Sequence, residues 1–237
     1  REAYFNLLMN GAANSNQPGV NWMLDRFSTQ DRLWPESAGY GKFTHALFIQ
    51  LMNIIDDYQP DLNIVDKPEN FNNKLHTLLP GVGNFDYCMQ QLTKNNFVGF
   101  LRDQTNFKKN LVGICVGMQL LFSKSYEYGV HDGLGLISGS VDAVAKRNSD
   151  VRVPIIGWHN TYVREGAPLF DGVDVPSFYF VHSYHVLPSD SGNRTAYAEH
   201  FGQVTACIEK GLTFGVQFHP EKSHNIGLKF ISNFTYI

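Results

Sequence analysis

The amino-acid sequence predicts an α/β protein built on a mixed sheet, with a β-rich C-terminal half. Three observations lead there. Between residues 41 and 122, short apolar runs of strand length alternate with stretches of helical spacing, the pattern of parallel strands whose C-terminal ends carry the active residues. After Gly139 the pattern turns almost entirely to strands and turns. Between the two regimes, Gly113-Ile114-Cys115-Val116-Gly117-Met118-Gln119 links the apolar Leu111-Val112 to Leu120-Leu121-Phe122, which is the order strand, sharp turn, helix.

Taken in order, residues 4–9 read as a strand and residues 10–19, rich in Asn, Gly and Ala, as loop. Residues 1–38 form a divergent N-terminal segment, read either as an extension or as a mistranslated or truncated start. They lack the basic segment, apolar run and small-residue cleavage site of a signal peptide. Residues 39–237 read as a single domain without repeat, low-complexity tract or linker. Phe43, Leu47, Leu51, Ile54 and Tyr58 lie on one helical face. Pro60 ends that helix, and Leu62-Asn63-Ile64-Val65 is a strand. A strand over 75–79 runs into Pro80-Gly81-Val82-Gly83, a helix covers 85–101, and a strand over 111–114 feeds Cys115. Strands follow over 140–145, 151–156, 178–187, 195–200, 204–209 and 212–218, with a hairpin turn at Lys210-Gly211. A helix over 225–234 closes the chain.

Composition narrows the function. The chain has 237 residues, enough for one large core. It is 43% hydrophobic and 17% charged, the balance of a folded protein rather than a disordered one. A formal net charge of −3 gives no reason to expect nucleic acid or an anionic membrane as partner. No apolar run approaches the roughly 18 residues that a bilayer span requires. Three cysteines, Cys88, Cys115 and Cys207, argue against a disulfide framework and suit a reducing cytoplasm. Histidines and acids show no metal-ligand spacing.

The chemistry points to Cys115. Two glycines leave its sulfur approachable, and the N–H groups of the following helix favour a thiolate. The turn matches the Gly-x-Ser-x-Gly nucleophile turn with sulfur in place of oxygen. A buried structural cysteine between packing glycines is the competing reading. A thiol also needs a base, and the base an orienting carboxylate. His219 and Glu221 meet that need at the end of the 212–218 strand. Two residues apart, they project to one side if the chain stays extended, and Pro220 keeps it from turning helical. The alternative is a histidine and an acid at an exposed strand end. The tetrahedral oxyanion of amide cleavage needs preorganised donors. The Val116 N–H follows the nucleophile, and the Pro80-Gly81-Val82-Gly83 loop, through Val82 and Gly83, offers a second.

Gly113–Gln119 and Gln217-Phe218-His219-Pro220-Glu221-Lys222-Ser223 resemble the two signature segments of the class I glutamine amidotransferases. Within that class the sequence is most similar to the glutaminase subunits of imidazole glycerol phosphate synthase. The likeness extends through Leu79-Pro80-Gly81-Val82-Gly83-Asn84-Phe85, Gly133-Leu134-Gly135-Leu136-Ile137, Gly157-Trp158 and Phe178-Tyr179-Phe180-Val181-His182-Ser183-Tyr184, from about Gly39 to the C-terminus. The resemblance implies a flavodoxin-like mixed sheet with helices on both faces. It also implies hydrolysis of L-glutamine to glutamate and ammonia by a Cys115-His219-Glu221 triad through a thioester, without cofactor or metal. Ammonia then passes to a synthase (cyclase) subunit, a (βα)8 barrel, in a cytoplasmic heterodimer of histidine biosynthesis. The chain ends soon after its last helix, so acceptor chemistry is expected on that other chain.

By the same resemblance Gln119 holds the substrate, Glu127 binds its α-amino group, and Ser183 and Tyr184 contact its α-carboxylate end. Trp158 and Lys222 match positions at the partner interface. His182 competes with His219 as base, while His131, His185 and His200 read as surface or packing residues. Two departures stand out. The family's Pro-His-x-Gly-Trp-Asn is here Pro154-Ile155-Ile156-Gly157-Trp158-His159. Ser183-Tyr184-His185-Val186 and Lys222-Ser223-His224 resemble paralogues that feed a sugar-amidating partner in surface-polysaccharide biosynthesis. That pathway is one alternative; a stand-alone cysteine peptidase or γ-glutamyl hydrolase of the same fold is another, and a non-catalytic binding subunit a third.

Overall fold

Five parallel strands form one side of the larger sheet in the computed structural model, which describes residues 4–8, 61–65, 67–71, 76–81, 83–103, 110–146, 152–200 and 202–237. They are β1 (Tyr4–Leu8), β2 (Asp61–Val65), β3 (His76–Gly81), β4 (Leu111–Cys115) and β13 (Thr213–Val216), in the order β2-β1-β3-β4-β13. Every residue of β4 and of β13 is buried, as expected of parallel strands covered on both faces. The sheet continues antiparallel through β12 (Gln203–Lys210), β11 (Arg194–Glu199), β8 (Ile155–Val163) and β9 (Ser177–His182). A second sheet holds β10 (Tyr184–Pro188), β7 (Ile137–Ala143), β5 (Phe122–Ser125) and β6 (His131–Asp132) in that order. The described helices are α1 (Phe85–Lys94), α2 (Phe97–Arg102), α3 (Val116–Leu120) and α4 (His224–Phe234).

The mixed α/β fold and its β-rich second half match the sequence reading. The strand expected at 4–9 is β1, which lies between β2 and β3. The helical face at Phe43–Tyr58 falls outside the described residues. Element bounds shift at several places, and four of the differences have a clear local cause or consequence. The helix expected over 85–101 is two helices, because Asn96 takes a left-handed φ of 62°, a conformation asparagine tolerates better than most residues. The strand expected over 178–187 breaks at Ser183 into β9 and β10, which belong to different sheets. The strand expected at 151–156 instead begins at Ile155, immediately after Pro154, whose missing N–H cannot serve a ladder. The helix after Cys115 is five residues long, and Phe122 already starts β5.

The core carries β9's alternate side chains. Phe178 stacks on Phe218 with centroids 3.9 Å apart, and Phe230 of α4 meets both edge-on. This aromatic cluster fixes the segment that follows β13, and with it His219.

Candidate active site

Cys115 ends β4, in register with Gly81 at the end of β3, while Ile114 is paired with Val216 at the end of β13. Three adjacent strand ends therefore converge on one sulfur. Cys115 has φ 55° and ψ −114°, a strained conformation for a side-chain-bearing residue, and is only 5% exposed. The flanking glycines do more than grant access. A Cβ on Gly117 would strike the Leu79 carbonyl oxygen, and one on Gly113 would lie 2.5 Å from the Gly117 carbonyl oxygen. The turn closes because α3 packs directly against the backbone of β3. With five residues, α3 adds little helix dipole. The sulfur is served by side chains instead.

His219 is placed by its own N–H, which donates to the Tyr179 carbonyl of β9 at 2.9 Å. Its Nδ1 lies 2.8 Å from Glu221 Oε1, both side chains fully buried. The two meet across a 3₁₀ turn, Pro220–Lys222, not along the extended chain that the sequence reading assumed. Pro220 opens that turn, where its missing N–H costs nothing. Ser223 Oγ braces the turn, donating to the His219 carbonyl at 2.7 Å and accepting from the Tyr179 N–H at 3.0 Å. Burial alone would push the imidazole toward neutrality. The adjacent Cys115 and Glu221, each also hydrogen-bonded to it, outweigh burial and raise His219 to about 10. His182, the competing histidine, is engaged differently. Its Nδ1 donates to the Tyr184 carbonyl at 2.8 Å, and burial holds it down to about 3. Among the described residues no carboxylate offsets that burial, and the ring stays neutral.

Gln119 is buried; its amide donates to the Tyr184 carbonyl at 3.2 Å and to Gln217 Oε1 at 3.1 Å. Glu127 has one oxygen committed, Oε2 accepting the Phe85 N–H at the start of α1 at 2.7 Å. Burial raises its carboxyl above the usual range, and that N–H opposes the rise. Ser183 sits at the break between β9 and β10, and Tyr184 opens β10. Val116 is the first residue of α3. Gly83 has φ 106°, and Val82 lies outside the described residues. Trp158, 45% exposed, meets Tyr179 edge-on at 6.2 Å, and Lys222 Nζ lies 5.7 Å from the Tyr179 ring centre. Trp158 and Lys222 thus flank one aromatic ring on the surface over the His219 turn. Among the described residues no cluster of histidine, cysteine and acids could hold a metal ion.

Three residues in this neighbourhood stood in quoted motifs but were given no role of their own. Tyr179 carries the backbone contacts to His219 and Ser223. His224 stacks on Trp158 with centroids 5.1 Å apart and planes 9° from parallel. Gln217, fully buried, donates to the Cys115 sulfur at 3.7 Å. A polar residue in the otherwise apolar run Phe214-Gly215-Val216-Gln217-Phe218 was the available signal.

A buried thiol hydrogen-bonded to an imidazole that a carboxylate orients can attack an acyl carbon and hand a proton to the departing group. On a sheet that changes from parallel to antiparallel one strand beyond the nucleophile strand, this defines a class. The chain belongs to the class-I glutamine amidotransferase family, whose match covers residues 42–236. Its relatives include imidazole glycerol phosphate synthase subunit HisH of Sulfurimonas denitrificans, 41% identical over 174 residues, 71% of this chain and 82% of the relative. Subunit HisH of a Geobacillus species is 39% identical, covering 73% and 84% of the two chains. HisH 1 of Campylobacter jejuni is 39% identical, covering 72% and 85%. Among solved structures, PurLQS from Thermotoga maritima superposes with a TM-score of 0.61 at 15% identity, over 99% of this chain and 98% of that one. A glutamine amidotransferase superposes with a TM-score of 0.57 at 18% identity, over 79% and 93%. These two likenesses concern the fold alone. Among the described residues no helix is long and apolar enough to cross a membrane.

Proposed function

We propose that this chain is the glutaminase subunit of a cytoplasmic imidazole glycerol phosphate synthase, working in histidine biosynthesis as a heterodimer with a (βα)8 cyclase subunit. The observation that carries the reading is the buried His219–Glu221 contact of 2.8 Å, set against Cys115 at the neighbouring strand end. The Cys115 sulfur attacks the side-chain amide carbon of L-glutamine, forming a C–S bond and an oxyanion. The Val116 N–H and the Val82-Gly83 segment stabilise that oxyanion. His219 passes its proton to the amide nitrogen, the C–N bond breaks, and ammonia leaves. Water, losing a proton to His219, then cleaves the γ-glutamyl thioester to glutamate. Gln119 holds the substrate, the uncommitted Glu127 oxygen takes its α-amino group, and Ser183 with Tyr184 takes its α-carboxylate end. Trp158 and Lys222 meet the partner.

The test is glutamate release by the full chain, alone and with the cyclase subunit and its acceptor. We infer that the Val82-Gly83 segment presents its N–H to the oxyanion only when the loaded partner is bound; one such donor is worth roughly 10²–10³-fold, so stimulation of that order is expected, mainly in turnover. Equal, fast rates in both conditions would mark an uncoupled hydrolase and overturn the ammonia-channelling reading.

A further inference from the structure

Gln217 is the side chain that the mechanism above leaves unused, although its amide reaches the sulfur. Its orientation follows from the groups behind it. The Tyr184 carbonyl can only accept hydrogen bonds, so Gln119, 3.2 Å away, must present its NH₂ to it. The same NH₂ lies 3.1 Å from the Gln217 side chain, which must answer with its carbonyl oxygen. The Gln217 NH₂ is then turned toward Cys115, 3.7 Å from Sγ. The assignment of each amide is therefore forced by a backbone oxygen two steps away and is not a free choice between near-identical atoms. Gln217 and Gln119 are buried, so water does not compete for these contacts.

We propose that Gln217 is a catalytic residue of this site, an N–H donor that stabilises the Cys115 thiolate before attack and again when sulfur departs from the thioester. The proposal rests on Cys115 being the nucleophile. The balance of each step is unchanged: in acylation the C–S bond forms and the C–N bond breaks while His219 moves the proton. In deacylation water's oxygen replaces sulfur on the carbon, and the electron pair returns to sulfur. Gln217 transfers no proton; its amide is neutral throughout. It supplies the donor that the five-residue α3 is too short to provide through its dipole. Its link through Gln119 to the Tyr184 carbonyl ties that donor to the start of β10, which is expected to grip the substrate.

Alkylation of Cys115 by iodoacetamide reads the thiolate directly and needs no glutamine turnover. A hydrogen bond to a charged group is worth enough that losing it slows thiolate reactions by about tenfold. In folded Gln217→Leu, labelling of Cys115 at neutral pH is expected to fall by about tenfold, with the deficit narrowing at alkaline pH. An unchanged rate and pH profile in the folded variant overturns the proposal. Where Gln217→Leu fails to fold, the near-isosteric Gln217→Glu replaces the donor with an acceptor. It is expected to label more slowly than the parent below alkaline pH, and equal or faster labelling overturns the proposal. Failure of the glutaminase reading would look different: the parent chain with its partner would release no glutamate while its alkylation profile and the variants' deficit stayed as described.

Discussion

At Cys115 and His219 the question is where one proton resides. On the proposed mechanism His219 has two tasks, keeping one proton on Nδ1 toward Glu221 and moving another through Nε2 to the leaving nitrogen. Removing the imidazole removes both, so His219→Asn is expected to cut glutamate release by roughly 10⁴-fold or more. Glu221→Gln keeps the base and the turn but loses the charge and the tautomer preference, and should cost less. Steady-state rates with the partner present, together with intact far-UV spectra, check this order; a Glu221→Gln loss exceeding that of His219→Asn would reverse the assignment. At this scale the sequence singled out Cys115, His219 and Glu221, because each chemistry-bearing type stands in a turn motif, and the structure sets His219 2.8 Å from Glu221 with Cys115 at the end of β4. The spacing of His219 and Glu221 was read correctly for the wrong geometry, since a 3₁₀ turn and an extended strand can both bring i and i+2 together. Gln217 was invisible because a strand pattern does not distinguish a polar residue that packs from one that donates.

Between elements, the site depends on how closely α3 lies against β3. Gly117→Ala would drive a methyl into the Leu79 carbonyl, and Gly81→Ala would drive one into the Gly117 backbone nitrogen. Neither has a flexible neighbour that can yield, so each is expected to cost about 1–3 kcal/mol or more. Gly99 in α2 is the contrasting position, where an added methyl would meet nothing within 4 Å; Gly99→Ala is expected to gain about 0.5–1 kcal/mol from helix propensity. Denaturant unfolding of the three variants decides it, and a neutral Gly117→Ala would contradict the packing described. Strand order and element lengths were the less legible part. Hydrophobic periodicity locates β4, β12 and β13 well, because each carries a cluster of buried apolar residues. It cannot see the breaks at Asn96 and Ser183, where one residue's backbone redirects a continuous pattern, nor the short β6, whose two residues carry no period.

For the molecule as a whole, two buried histidines set opposite pH limits. His182 falls from its ordinary 6.5 to about 3, so below pH 6.5 the unfolded chain takes up a proton that the folded chain refuses, and stability falls as pH drops toward 3. His219 rises from 6.5 to about 10. Its contribution is complete below 6.5 and is lost as pH climbs through 10. Melting temperature should therefore decline on both sides of neutrality. His182→Gln should flatten the acid limb and His219→Gln the alkaline limb, as thermal scans from pH 4 to pH 10.5 would report. Parallel limbs in parent and variants would mean that other groups dominate. This behaviour could not be read from sequence, where all nine histidines look alike until burial and neighbours separate them.

The break at Ser183 has a further consequence. It sends β9 into one sheet and β10 into the other, so the residues proposed to grip the amino-acid end of glutamine stand on the far side of a seam from the sulfur. On the proposed function, glutamine would bridge that seam like a clasp, and a bound molecule would stitch the two sheets together along its own length. A reagent that caps only the thiol leaves the stitching undone. One that keeps the amino and carboxylate groups should also slow amide exchange in β7 and β10, far from the atom it modifies.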